Sequence, residues 1–482
     1  MADDVPGSRP EHPLRVAVVG SGPAGFFVAK HLLRQPALHV LLDMYEKLPM
    51  PFGLVRYGVA PDHQKIKAIT KVFEQVASHP NFRLLANVEV GRHITAQELA
   101  TYYHQTVFTV GSQSDRLLNI PGEDLIGSHP ASHFVAWYNG NPLFRDYQFD
   151  LSQERAAIVG VGNVAIDVAR ILCRTREELL RTDIADYALE ALSASKVREV
   201  YLLGRRGPAQ AAFSNPEIKE LGEMEGADPV VLPAEATLDD LTMEDLQATP
   251  NKTIQKKVEH LQSYATRART GKARRLTLRF LVSPVELLGN AGGQVAGLRL
   301  VRNQLARNVT GQLQPVATED FETLPAGLVF RSVGYRGDPL AGVPFAEKGG
   351  VFLNDLGRLL DPQTQQPLPG QYTAGWIKRG PTGVIGSNKP DAIETVAAML
   401  ADRVAGRLMH PPQPKIAAID RLLADRQTQI ITYADWQQLD AREQALGAVA
   451  GRPRVKITSM PQIAEVLRQK PHGETMAKAN LK

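Results

Sequence analysis

A carboxylate and a pair of guanidiniums occupy matching places in this sequence, each a fixed way beyond a glycine-rich turn. The first turn lies in Val16-Ala-Val-Val-Gly20-Ser-Gly22-Pro-Ala24-Gly25-Phe-Phe. The carboxylate is Glu46, 21 residues after Gly25, closing the apolar run Leu41-Leu-Asp-Met-Tyr-Glu46. At that distance it can accept from both hydroxyls of an adenosine ribose. The second turn lies in Ala156-Ala-Ile-Val-Gly160-Val161-Gly162-Asn163-Val164-Ala165, and the next strand candidate, Glu199-Val-Tyr-Leu-Leu-Gly204, runs into Arg205-Arg206. A carboxylate there would repel a 2′-phosphate, whereas two guanidiniums can grip it bidentately. The spacing predicts two dinucleotide sites, the second for a phosphorylated ribose.

Such residues need strand–turn–helix units to aim them. Val16–Val19 reads as a buried strand and Phe26–Leu33 as the following helix, whose free N–H groups and dipole face the phosphates. Residues 47–63 hold three prolines and two glycines among apolar and aromatic residues, which predicts a loop lying under a bound ring. A helix is expected over His63–Ala77, strands over Phe82–Leu85 and Val88–Val90, and a helix near Ala96–His104. Val107–Gly111 and Leu328–Arg336 both read as strands ending near a glycine, as at two chain crossings between nested domains. The domains expected are 1–110 and 332–482 for the first site, with 111–331 inserted for the second. Residues 174–195 read as a helical excursion, and Ser214-Asn-Pro-Glu217 as a capping box opening a helix. Glu217 and Glu220 share one face of that helix, where spacing alone gives them capping and solvation. Residues 226–250 read as acidic loop. From Lys252 the chain turns basic, with Lys256, Lys257, Arg267, Arg269, Lys272, Arg274, Arg275 and Arg279. Strands are expected over Thr277–Val282 and Val295–Val301. Tyr372–Asn388 is a glycine-rich entry to a helix over Pro390–Val404, a positive end suited to the negative charge of a reduced flavin. The last 70 residues read as helical packing and a charged tail.

Composition narrows the class. The chain has 482 residues, 43% hydrophobic and 22% charged, enough for two or three domains. A net charge of +4 is too mild to argue for nucleic acid, no apolar run approaches a membrane span, and residues 1–13 lack a secretory h-region. A cytoplasmic location is expected. The single cysteine, Cys173, forbids intrachain disulfides, a redox dithiol and a four-cysteine cluster, and reads as a small buried hydrophobe.

The blocks Pro51–His63, Gly162–Arg170, Gly204–Pro208, Ser332–Gly337 and Gly375–Gly386 together resemble the adrenodoxin reductase family, most of all its bacterial NADPH–ferredoxin reductases. The likeness runs from about Leu14 to Leu467. It implies an α/β fold of two nested Rossmann-like domains, with FAD at Gly22, Ala24, Glu46, Leu54, Val88, Trp376, Gly383, Val384 and Ile385, a site to which Gly20 and Gly25 belong by their places in the first turn. It implies NADP(H) at Val161, Gly162, Asn163, Val164, Arg205, Arg206, Glu217 and Gly383. His63 and Glu220 match polar residues that the family places near the nicotinamide and flavin edge. Two departures are Ser387, where relatives often have threonine, and Pro216, expected to shift a helix start by a residue.

The activity implied is hydride transfer from NADPH to FAD N5, then single-electron transfer to an iron–sulfur ferredoxin. An acidic ferredoxin is the expected partner, docking on the basic stretch Lys252–Arg279. A flavin monooxygenase and a non-catalytic FAD/NADP-binding redox sensor are the alternatives. Hydroxylated product would mark the first, and absence of diaphorase activity the second.

Overall fold

The computed structural model describes residues 5–426 and 428–468. It builds two sheets, one inserted in the other. The first has seven strands, and its parallel part runs in the order Pro367–Thr373, Gln105–Phe108, Leu14–Val19, Val40–Glu46, Phe82–Ala86. The second has six strands, all parallel, in the order Ser128–Pro130, Leu328–Arg331, Arg155–Val159, Glu199–Leu203, Arg274–Arg279, Ala227–Val231. Every strand of the second sheet thus falls in sequence between strands of the first. The two crossings pair with each other as a short antiparallel ribbon, Ser114–Asp115 against Tyr335–Arg336. A three-stranded antiparallel meander, Val282–Gly289, Val295–Arg307 and Leu313–Pro325, flanks the second sheet.

The strands Leu14–Val19 and Arg155–Val159 are mostly apolar and almost wholly buried, as parallel strands covered by helices are. Helix Pro23–Leu33 follows the first strand, and helix Asn163–Cys173 follows its counterpart. Gly20 has φ +109°, and a Cβ there would lie 2.6 Å from Thr109 O, so packing alone demands glycine. Cys173 is buried, as expected, and burial pushes its thiol up to about 12.

Several expected elements differ. Val88–Val90 forms no strand, only a bridge from Val90 to Ile94. The helix over His63–Ala77 is two pieces, Gln64–Lys67 and Thr70–Ala77, and the one near Ala96–His104 shrinks to a 3₁₀ turn, Glu98–Thr101. The supposed loop 226–250 contains the edge strand Ala227–Val231 and two helices, Pro233–Ala236 and Asp240–Ala248. Thr277–Val282 is split at Leu281, which has φ +56°. Among the described residues the C-terminal region is helical, with Ile416–Asp425, Tyr433–Ala450 and Met460–Arg468.

Candidate active site

Three loops converge at the carboxyl end of the first sheet. The glycine turn 20–25 is the first. The second, around Phe52–Gly53, is stitched to it: Phe52 N donates to Ser21 O at 3.1 Å, and a Cβ on Gly53 would meet Gly22 Cα at 2.9 Å. The third begins at Gly375, where a Cβ would lie 2.6 Å from Ala24 Cβ, and leads through Trp376 and Gly383 to helix Asn388–Val404. Asp391, in that helix's first turn, accepts from Gly375 N. Glu46 closes the base. Its Oε2 accepts from Ser21 N at 3.1 Å and Ser21 Oγ at 2.6 Å, and its Oε1 from Leu48 N at 2.9 Å.

The middle glycine of each motif tests whether this cradle fits a ligand. Among the described residues, and apart from its own chain neighbours, no protein atom lies within 4 Å of a Cβ built on Gly22, nor on Gly162. Packing within the protein therefore leaves these two positions open, unlike Gly20. Open backbone beside a helix N-terminus is where a pyrophosphate can approach. Apolar side chains stand uncovered around the first cradle, Leu54 at 45% and Val384 at 67% exposure. Trp376 stacks on Tyr335 at 5.6 Å and donates from Nε1 to Thr382 O. Val88 is the exception: its side chain is buried and its N–H is given to Glu46 O, so it presents no side chain to a groove.

At the second sheet, Val161–Val164 form the turn, and Asn163 Oδ1 fixes it by accepting from Ser214 N at 2.9 Å. Arg205 is exposed and Arg206 half-buried at the end of strand Glu199–Leu203. Among the described residues neither guanidinium has a carboxylate partner, although many other arginines here do.

The halves meet at His63. Its Nε2 lies 2.9 Å from Glu220 Oε2 and 3.8 Å from Glu217 Oε2, and its Nδ1 4.0 Å from Asp167 Oδ1. Burial opposes the imidazolium, but the Glu220 bond and the charges of Asp167 and Asp62 outweigh it and the opposing Arg170, so the pKa is raised. The same hydrogen bond lowers that of Glu220. Burial pushes Asp167 up to about 7 against the pull of Arg170. The ligand atoms of His63, Glu217 and Glu220 lie close enough for a metal ion. The space is already countered, because Arg170 NH1 stands 3.0 Å from Glu217 Oε2 and 3.3 Å from Glu220 Oε2.

Glu217 corrects the capping-box expectation. Ser214 is the N-cap of helix Asn215–Leu221, but its side chain makes no capping bond, and the Glu217 carboxylate turns to Arg170 instead. Pro216 sits in the first turn, where its missing N–H costs nothing. Ser387 Oγ accepts from Arg379 and donates to Val384 O. Part of the basic stretch is taken up by internal contacts. Lys257 is buried against Ala211 O, Arg274 donates to Val197 O and Arg174 O, Arg275 pairs with Glu199, and Arg279 with Glu235 and Glu322. Lys252, Lys256, Arg267 and Arg269 remain exposed. Asp62, Asp167 and Arg170 were missed, and no spacing links Asp62 to a residue 108 positions on.

This arrangement has close counterparts. The pyridine nucleotide-disulphide oxidoreductase family profile matches residues 14–208. NADPH-ferredoxin reductase FprA of Mycobacterium tuberculosis is 46% identical over 462 residues, covering 94% of this chain and 99% of that protein. The chain belongs to the adrenodoxin reductase family. Human mitochondrial NADPH:adrenodoxin oxidoreductase is 42% identical, over 95% of this chain and 93% of its own. The solved structure of M. tuberculosis FprA in complex with NADPH superposes with a TM-score of 0.87 at 46% identity, over 95% of this chain and 99% of that one. The chain has a single cysteine, Cys173, and so cannot form a dithiol of its own. Among the described residues no helix is long and apolar enough to cross a membrane.

Proposed function

We propose that this protein is an FAD-dependent NADPH:ferredoxin oxidoreductase. The observation that supports it most is the pair of open middle glycines, Gly22 and Gly162, at two sheets that meet at His63, with Arg205 and Arg206, unpaired among the described residues, beside only the second. Gly20–Gly25, Glu46, Leu54, Trp376 and Gly383–Ile385 would hold FAD, with Val88 offering only backbone. Val161–Val164, Arg205 and Arg206 would hold NADPH. Glu217 would reach it only with the carboxylate it shares with Arg170. When bound, FAD supplies what no side chain here can, accepting a hydride from a reduced nicotinamide and releasing electrons singly. The protein's own part is to bind, orient and exclude water, and His63 with Glu220 holds a proton where the two halves meet.

The partner is an acidic ferredoxin. Lys252, Lys256, Arg267 and Arg269 are exposed on and after helix Lys252–Thr266. That helix is bonded to the one bearing Glu220, through Asn215 Nδ2 to Thr253 O at 3.0 Å and Tyr264 Oη to Ile218 O at 2.7 Å. A docked acidic protein there would be close to the site. Denaturing the yellow holoprotein should release one flavin identified as FAD. Release of FMN, or a colourless protein that takes up no FAD, would refute the reading.

A further inference from the structure

Arg170 has four carboxylates, Asp62, Asp167, Glu217 and Glu220, within 3.3 Å of its guanidinium. It is 0% exposed, on helix Asn163–Cys173 of the second half. Its Nε and NH2 hold Asp62 of the first half bidentately, at 2.7 and 3.1 Å. NH2 also reaches Asp167 Oδ1 at 2.8 Å, and NH1 reaches Glu217 and Glu220. Arg174 adds a second cation to Asp62 at 2.8 Å and is itself held by Glu178. Asp62 immediately precedes His63. One buried fork therefore sets both the loop carrying His63 and the carboxylate that faces it.

We propose that Arg170 is a positioning residue: by bridging Asp62 to Glu217 and Glu220 across the two halves, it fixes His63 against Glu220 in the reactive geometry. Arg170 touches no open groove, so it acts only through these neighbours. A lysine could not replace it, because a single ammonium cannot span Nε, NH1 and NH2 at once. The groups facing His63 are Asp62 on its own loop, Asp167 and Arg170 on one helix, and Glu217 and Glu220 on another. Behind Asp167 stand Tyr138, buried with no partner for its hydroxyl among the described residues, and Tyr335. The inference rests on the oxidoreductase reading for its kinetic consequence, but not for its geometry.

Charge and geometry make opposite demands, which allows a test. Removing the Arg170 charge would by itself favour the imidazolium, whereas losing the Glu220 contact would disfavour it. Arg170→Lys and Asp62→Glu keep every charge and change only reach. His63 is followed by NMR of ¹³C-labelled histidine in the holoprotein, with His63→Gln assigning its signal. Both variants should make His63 titrate at lower pH than wild type, in the direction set by Glu220→Gln. Both should lower kcat for NADPH–ferricyanide turnover about tenfold or more, with KM for NADPH little changed. Unchanged titration in either folded variant overturns the proposal, as does a shifted titration with unchanged kcat. If neither variant folds, Arg170 is a structural anchor and the proposal also falls. A wild-type protein that does not oxidise NADPH would instead refute the oxidoreductase reading, and the titration would still decide the geometry.

Discussion

Replacing Arg205 and Arg206 by alanine should abolish the preference for NADPH over NADH. The magnitude follows from their setting. Neither guanidinium has a carboxylate partner among the described residues, so a 2′-phosphate competes with nothing but water. A hydrogen bond to a charged group is worth about 1.5–3 kcal/mol, or about ten- to a hundredfold in affinity. Arg206 is half-buried and should show the fuller effect. Arg205 is exposed, where solvent screens it, so its single variant should lie near the lower figure. The two share one phosphate and will not add simply. The double variant should raise the NADPH Kd about a hundredfold on these figures, while NADH turnover stays close to wild type. The assay is the ratio of kcat/KM for the two nucleotides with ferricyanide as acceptor, with NADPH Kd from flavin difference spectra. A double variant that keeps its NADPH preference would place the 2′-phosphate elsewhere and refute the strand-end argument.

Other outcomes are equally definite. Glu443 is 0% exposed and holds Arg56 bidentately at 3.0 and 2.6 Å, so Glu443→Ala should cost about 3–5 kcal/mol in urea unfolding by stranding a buried cation; a loss under about 1 kcal/mol would contradict this. Burial would raise the Glu443 pKa, but Arg56 and Arg454 hold it below the usual value, so its contribution is full above the unfolded carboxylate value of about 4.3 and is lost as pH falls through the lower folded value. Stability measured below pH 4 should therefore drop faster in wild type than in Glu443→Gln. Cys173 should resist a thiol reagent in the native protein and react only on unfolding, and fast native labelling would contradict its burial. Ferredoxin-dependent cytochrome c reduction should slow as salt rises, more than ferricyanide reduction does, since exposed charges are screened beyond about 8–10 Å. Changing Lys252, Lys256, Arg267 and Arg269 to glutamine should raise the ferredoxin KM; an unchanged KM and salt response would remove this face from docking.

The parts legible in the sequence are those where a few adjacent residues fix the backbone. Gly20 and Gly25 are demanded by turn and packing, and strand ends place Glu46 and Arg205-Arg206 with little freedom. What was illegible depends on distant partners. Pro229 hid the strand Ala227–Val231, which tolerates it because it lies at the sheet edge. Asn87, at φ +61°, turns the chain out of the sheet before Val88, so an apolar run there is not a strand. Glu217 has the spacing of a capping residue, yet Arg170, 47 positions earlier, claims it. The basic stretch Lys252–Arg279 is continuous in sequence but not in the fold, for the same reason: Glu199, Glu235 and Glu322 take up arginines that local sequence leaves unpaired.

The most direct test of the account is anaerobic stopped-flow mixing in two stages. NADPH should first bleach the flavin absorbance of the holoprotein, and the reduced protein should then pass electrons to a ferredoxin from the same source, with the ferredoxin spectrum changing as the flavin colour returns. A flavin that NADPH does not reduce, or one that is reduced but passes electrons to no ferredoxin, would contradict the central claim.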